Sequence, residues 1–267
     1  MSAEAIATIR AEFEKELSSN IHLYHPIDIE RVRSEDWQVK RFIIDQPDGD
    51  VSKAFAALCR SLQWKKSFGL HDRTDEYFPK EIWELNAIEI YGRDKEERVI
   101  QWEAIRNQRS FKELSLIVRQ FVAHNMERVD REAGETGFIL ITDANGGGIK
   151  NIDMDLSKFK IAIVEYYPMG MRAMYIVDQP WLLNAIVKII IGLMSDKLKQ
   201  LIHFVKYTDL PAIMDTKFIP VELKGSRSKH AFPMDIIPMH QLTKQLDLDE
   251  KFIDNFYKTY KLERTTT

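Results

Sequence analysis

Cysteine is almost absent from this chain: Cys59 is the single one in 267 residues, so no internal disulfide can staple the fold. Glycine and proline are sparse, 11 and 9 respectively, which excludes collagen-like and low-complexity sequence. Long apolar runs are missing as well. The longest, Trp181–Met194, contains Asn184 and Lys188 and falls short of the ~20 residues needed to cross a bilayer. Neither sign of charge dominates: 38 Lys plus Arg face 41 Asp plus Glu, a formal net charge of −3, without the basic surplus of a protein that binds phosphate backbones. Residues 1–10 lack the basic and apolar segments of a secretory signal. With the lone cysteine, this gives the expectation of a monomer in a reducing, cytosolic compartment, with no nucleic-acid partner and no membrane span.

What is present describes a globular core: a chain of this length buries roughly three quarters of its extended surface, enough to need no metal or disulfide. The first 75 residues have helical spacing. Ile6, Ile9, Phe13 and Leu17 share one face; Trp37, Val39, Phe42 and Ile43 form a second short helix closed by the turn residues Gln46–Gly49; Val51–Phe68 carries a third apolar stripe and stops at Gly69. From Tyr77 the period changes. Residues 87–102, broken at Gly92–Lys95, predict a β-hairpin. Then helices over 111–129, 156–167 and 181–194 alternate with strands over 138–142, 174–177 and 201–205. Strands without polar alternation are buried on both faces, which is the habit of parallel sheets covered by helices, so an α/β fold behind an all-helical N-terminal subdomain is expected. A last helix over 249–260 packs back on the body.

Candidate chemistry is thin. Gly146–Gly148 follow a strand, but the residues after them, Ile149–Ile152, fit neither a P-loop nor a dinucleotide fingerprint. Asp143 ends the same strand and reads as a loop-initiating cap. No serine has the G-x-S-x-G flank of a hydrolase nucleophile. Cys59 lies mid-helix without a neighbouring histidine and reads as a small apolar residue. His22 and His25 have i, i+3 spacing, but Pro26 follows at once and argues against a helix there. His71, His124, His203, His230 and His240 are scattered, and neither a catalytic role nor a cofactor is assigned.

Trp181–Met194 is more informative, because only Asn184 and Lys188 interrupt an otherwise apolar helix, so both its faces need cover. It is either a central core helix or a lid over an apolar cavity whose outer face meets a bilayer interface. Residues 181–230 hold eight basic against four acidic side chains, a local net charge of +4 in a −3 chain. Lys188, Lys197 and Lys199 are the candidate membrane-docking residues.

Several segments then resemble one family. "WQVKRFIIDQPDGDVSKAFAALCRSLQWKKSFGL" is similar to the helical lead-in of CRAL-TRIO proteins, "IEIYGRDKEERVIQWE" to their hairpin, and "GFILITDANGGGIKNID" to their strand-and-aspartate turn. "YYPMGMRAMYIVDQPWLLNAIVKIIIGLMSDKLKQLIHFV" resembles their gate-helix block, and "FIPVELKGS" their closing motif, where Lys224 replaces a frequent glycine. The resemblance implies a helical subdomain over 1–76, a lipid-binding domain over 77–230 with a mainly parallel sheet floor and a gate helix over an apolar cavity, and a C-terminal extension over 231–267. It implies a binding protein with no enzymatic step, which carries one hydrophobic lipid, a phospholipid, sterol or isoprenoid-like molecule, and meets membranes transiently. A non-transferring adaptor on the same fold is the alternative. Carried onto this chain, the ligand-binding residues are Ile139, Ile141, Tyr175 and Val177 on the strands, Ile161 and Val164 on the helix between them, and Trp181, Ile186, Ile189, Ile190 and Leu193 on the gate. Strand alternation admits either parity for the inward set. Members that carry phosphatidylinositol have a glutamate after Y-Y-P and a lysine beyond the gate; Met169 and Leu201 stand there, which argues against head-group recognition of that type.

Overall fold

A computed structural model describes residues 3–227 and 236–264. Four helices open the chain: α1 (Ala3–Asn20), α2 (Pro26–Ser34), α3 (Asp36–Asp45) and α4 (Val51–Ser67). They share a core of their own, in which Ile9, Phe13, Val32, Val39, Leu58 and Leu62 are fully buried. α2 departs from expectation. Pro26 does not prevent the helix but starts it, since the first turn needs no N–H from that position, and His25 caps it by accepting the Ile27 N–H on Nδ1 at 3.2 Å. His22 lies in the preceding turn, so the two histidines do not share a helical face. α4 starts where Asp50 Oδ1 accepts from Ser52 N and Lys53 N at 2.9 and 3.0 Å, and the chain leaves it through Gly69 at φ +64°, a conformation that costs glycine nothing.

A short helix α5 (Lys80–Glu84) leads into the sheet. Its strands are β1 (Ile88–Arg93), β2 (Val99–Ala104), β3 (Phe138–Asp143), β4 (Met171–Val177) and β5 (Ile202–Val205), in the spatial order of the sequence. β1 and β2 are an antiparallel hairpin, and β2 to β5 are parallel. Between β2 and β3 runs α6 (Ser115–Ala133), between β3 and β4 α7 (Met154–Val164), and between β4 and β5 a turn of 3₁₀ helix at Trp181–Leu183, then α8 (Asn184–Gly192) and α9 (Asp196–Lys199). A sheet in sequence order with crossovers of one hand puts these helices on one face. The other face carries Ile100, Trp102, Ile139, Ile141 and Val177 and is covered by Leu210, Met214, Ile219 and Leu223 from the segment after β5, where α10 (Leu210–Ile213) lies. The expected α/β architecture is thus present.

Two further helices, α11 (Thr243–Leu246) and α12 (Glu250–Tyr260), end the described chain. The expected boundary at residues 230 and 231 lies outside the described residues. Phe252, Ile253, Phe256 and Tyr257 share a core with Phe78, Ile82, Trp83 and Phe121, so α12 packs on the body of the fold.

The N-terminal helices are keyed to α6 by buried charge. Arg41 donates to both Asp130 oxygens at 2.6 Å and to the Pro168 carbonyl at 2.7 Å. Glu127 accepts from Arg31 at 2.5 Å, Lys65 at 2.8 Å and the Tyr167 hydroxyl at 3.0 Å. Burial opposes ionisation of Glu127, yet the charge and hydrogen bond of Lys65, with the charge of Arg31, outweigh it and hold the carboxyl well below its usual range.

Candidate ligand cavity

α7 and α8 stand off the sheet rather than closing on it. Of the residues of α7 only Ile163 is buried, and no residue of α8 is. The space between contains a cavity of about 160 Å³. Phe138, Leu140 and Thr142 of β3 and Met171, Met174 and Ile176 of β4 form its floor, Leu156, Ile161 and Val164 one wall, and Leu183, Val187, Ile190, Ile191 and Met194 its roof. α7 is fixed at its start by Asp153, whose Oδ1 accepts from Asp155 N and Leu156 N at 2.9 Å while Ser110 donates to its other oxygen at 2.6 Å.

The strand residues expected to line a cavity do not do so. Ile139, Ile141, Tyr175 and Val177 point to the opposite face, where Ile139, Ile141 and Val177 are among its most buried side chains. Because successive strand residues alternate in direction, the inward set is displaced by one, to Leu140, Thr142, Met174 and Ile176. Ile161 and Val164 do line the cavity.

Over residues 181–194, the expected gate, Ile190 faces inward, whereas Trp181, Ile189 and Leu193 are 83%, 58% and 48% exposed and Ile186 lies off the lining. Lys188 and Gly192, one turn apart and both exposed, mark the outward stripe, and the residues opposite it are Leu183, Val187, Ile190 and Met194. That spacing was in the sequence; the uniform apolarity around it hid the signal.

The lining also has polar residues that helical and strand spacing does not single out: Gln101 and Glu103 of β2, with Gln108, Asn151, Ser157, Lys160 and Gln179. Gln101 and Glu103 alternate with Ile100 and Trp102, which is the trace in the sequence that one face of β2 meets something other than hydrocarbon.

The remaining candidates are used internally. Gly147 N donates to the Ala144 carbonyl at 3.0 Å and Gly148 N to Asn151 Oδ1 at 2.9 Å, so these amides do not form an anion cradle. Asp143 accepts the Asn145 N–H at 3.0 Å, as a loop-initiating cap does, and pairs with Arg106. Burial pushes the Cys59 thiol up, away from the thiolate a nucleophile needs. Asp28, His71 and Glu127 bring ligand-type atoms within 4.8 Å of one another. Arg31 and Lys65 already share these carboxylates, which makes the cluster an ion-pair knot and not a cation seat.

Of the three lysines expected to dock on a membrane, Lys188 is exposed on α8, Lys197 pairs with Asp45, and Lys199 pairs with Asp196 at 3.0 Å. Met169 adopts φ +60° in the turn before β4, and with Leu201, Arg60 and Lys197 it lines a separate cleft against α3 and α4. No helix among the described residues is long and apolar enough to cross a membrane.

A mostly parallel sheet, helices on one face and an apolar hollow beneath a helix that is greasy on both sides define a class of small α/β domains. Residues 85–225, more than half of the chain, match the CRAL/TRIO domain, and the chain belongs to that family, a family of lipid-binding domains. Its fold is similar to that in the crystal structure of Sfh5, with a TM-score of 0.61 at 16% identity over 93% of this chain and 99% of that one.

Proposed function

We propose that the protein binds one hydrophobic lipid between the sheet and α8, and transfers or presents it at membranes when α8 swings outward. One observation carries this reading: the roof of the cavity is a helix with two apolar faces and no buried residue, so it is held by little and has an outer surface that water does not favour. Exposing a lipid chain to water costs about 0.8 kcal/mol per methylene, which makes unaided desorption slow, and an apolar site lowers that barrier. The polar edge of Lys188 beside Ile189 and Leu193 suits an anionic bilayer surface.

A cavity of about 160 Å³ compares with the ~150 Å³ that admits benzene, and lipid-sized guests need several hundred. Binding therefore entails outward movement of α8. The same small volume favours the second reading, an adaptor that tethers a partner or membrane without lipid exchange. The motifs are similar to those of the CRAL-TRIO module of motile sperm domain-containing protein 2.

The test is native mass spectrometry of the full chain purified from a eukaryotic host, followed by exchange of a labelled lipid between liposomes. A co-purified lipid and accelerated exchange are expected. An empty protein that leaves exchange at the spontaneous rate would establish the adaptor.

A further inference from the structure

The cavity is graded along the strands. At their N-terminal ends it is lined by Phe138, Met171, Met126 and Leu198, and toward their C-terminal ends Glu103, Thr142 and Gln179 join the apolar Ile105, Ala144 and Leu183. Gln101 stands between, level with Leu140 on the neighbouring strand β3, which is in turn level with Met174 on β4. It is 4% exposed, and its Oε1 has no hydrogen-bond partner. Gln108 Nε2 and Gln179 Oε1, from the same lining, are also buried and unpartnered. A buried polar atom left without a partner costs about 1–3 kcal/mol, so a leucine at 101 would be the better core residue. The charged groups tell the complementary story. Among the described residues lining the cavity, Lys160 is the only base; its Nζ donates to Glu103 Oε2 at 2.7 Å, and Asp153 adds a second acid at the cap of α7. The lining thus has no cation to spare.

Resting on the ligand-cavity reading above, we propose that the site selects a hydrophobic guest ending in an uncharged hydroxyl, which Gln101 recognises, and that the Glu103–Lys160 pair refuses an anionic head group. A hydroxyl donates one hydrogen bond and accepts others, so it can satisfy a carboxamide oxygen and a carboxamide N–H of this lining. A carboxylate or phosphate would meet the carboxamide oxygens and a net acidic lining without a free counter-charge.

Two probes of one chain length separate the alternatives: hexadecanol and palmitate, each used to displace Nile red from the full chain at about pH 8, where the acid is ionised. Hexadecanol is expected to displace the dye at about tenfold lower concentration. Gln101→Leu should bring the ratio of hexadecanol to palmitate to about one, while Glu103→Gln, which frees Lys160, should improve palmitate by about tenfold. Palmitate equal to hexadecanol, or dye displaced by neither, overturns the selectivity and leaves the apolar cavity standing. Failure of the dye to bind the parent chain overturns the ligand-cavity reading as well. Should Gln101→Leu fail to fold, unchanged preference in Glu103→Gln is sufficient to overturn the proposal.

Discussion

Ile190 and Ile189 are neighbours in sequence with opposite duties. Ile190 roofs the cavity and Ile189 is 58% exposed. An aspartate at 190 places an unpaired charge against apolar lining, at a cost of several kcal/mol when the gate is shut, and Ile190→Asp should lose retained lipid in native mass spectra. Ile189→Asp should keep the lipid and weaken liposome binding in a flotation assay. Glu127 carries a different kind of prediction. Its carboxyl, held low by Lys65 and Arg31, contributes stability that is complete above the ordinary glutamate value of about 4.3 and is lost as the pH falls from there toward the depressed native value. Glu127→Gln leaves Lys65 buried without its counter-charge and should cost about 3–5 kcal/mol near neutral pH, the deficit narrowing below about pH 4 as the parent protein loses the same contribution. Urea midpoints of the two proteins over that range check both halves.

At the scale of elements, α8 and α9 form the face that would meet a bilayer, with Trp181, Ile189 and Leu193 beside Lys188, Lys197 and Lys199. Reversal of the three lysines to glutamate should weaken binding to anionic vesicles and flatten its salt dependence, because fewer attractive charges remain to be screened. Lys188 should account for most of the loss, since Lys197 and Lys199 already have Asp45 and Asp196 as partners. Equal sedimentation of parent and triple variant with vesicles would remove this face from docking. The other elements are the most legible in the sequence. α1, α3, α4, the hairpin and the alternating helices and strands follow from periodicity, and Gly69 from turn chemistry. α2 does not, because a proline bars a helix interior but serves here as the first residue.

For the whole molecule, ligand binding and folding are linked. A guest that binds only the folded chain raises stability by about 2.7 kcal/mol at a hundredfold excess over its dissociation constant, and the melting temperature should rise with concentration of a retained lipid. No shift with any hydrophobic ligand would favour the adaptor. The N-terminal helices should melt together with the sheet domain, since Arg41, Arg31 and Lys65 bind them to α6 and the Trp64 ring stacks on Tyr166 at 4.4 Å.

Local pattern, taken alone, was sufficient to determine most of the helices and strands, α2 and the short α5, α9, α10 and α11 apart, that the sheet is mostly parallel, and that 181–194 is apolar but for Asn184 and Lys188. These properties depend on spacing within a dozen residues, and the chain carries that spacing in full. Which side of β3 and β4 faces the hollow was decided only in three dimensions. β3 offers only Thr142 to mark its inside, a residue that suits either face of a strand, so Ile139 and Leu140 are equivalent until the helices choose a face of the sheet. The same holds for Gln101, whose meaning comes from the absence of a partner around it, a fact that belongs to the packed molecule.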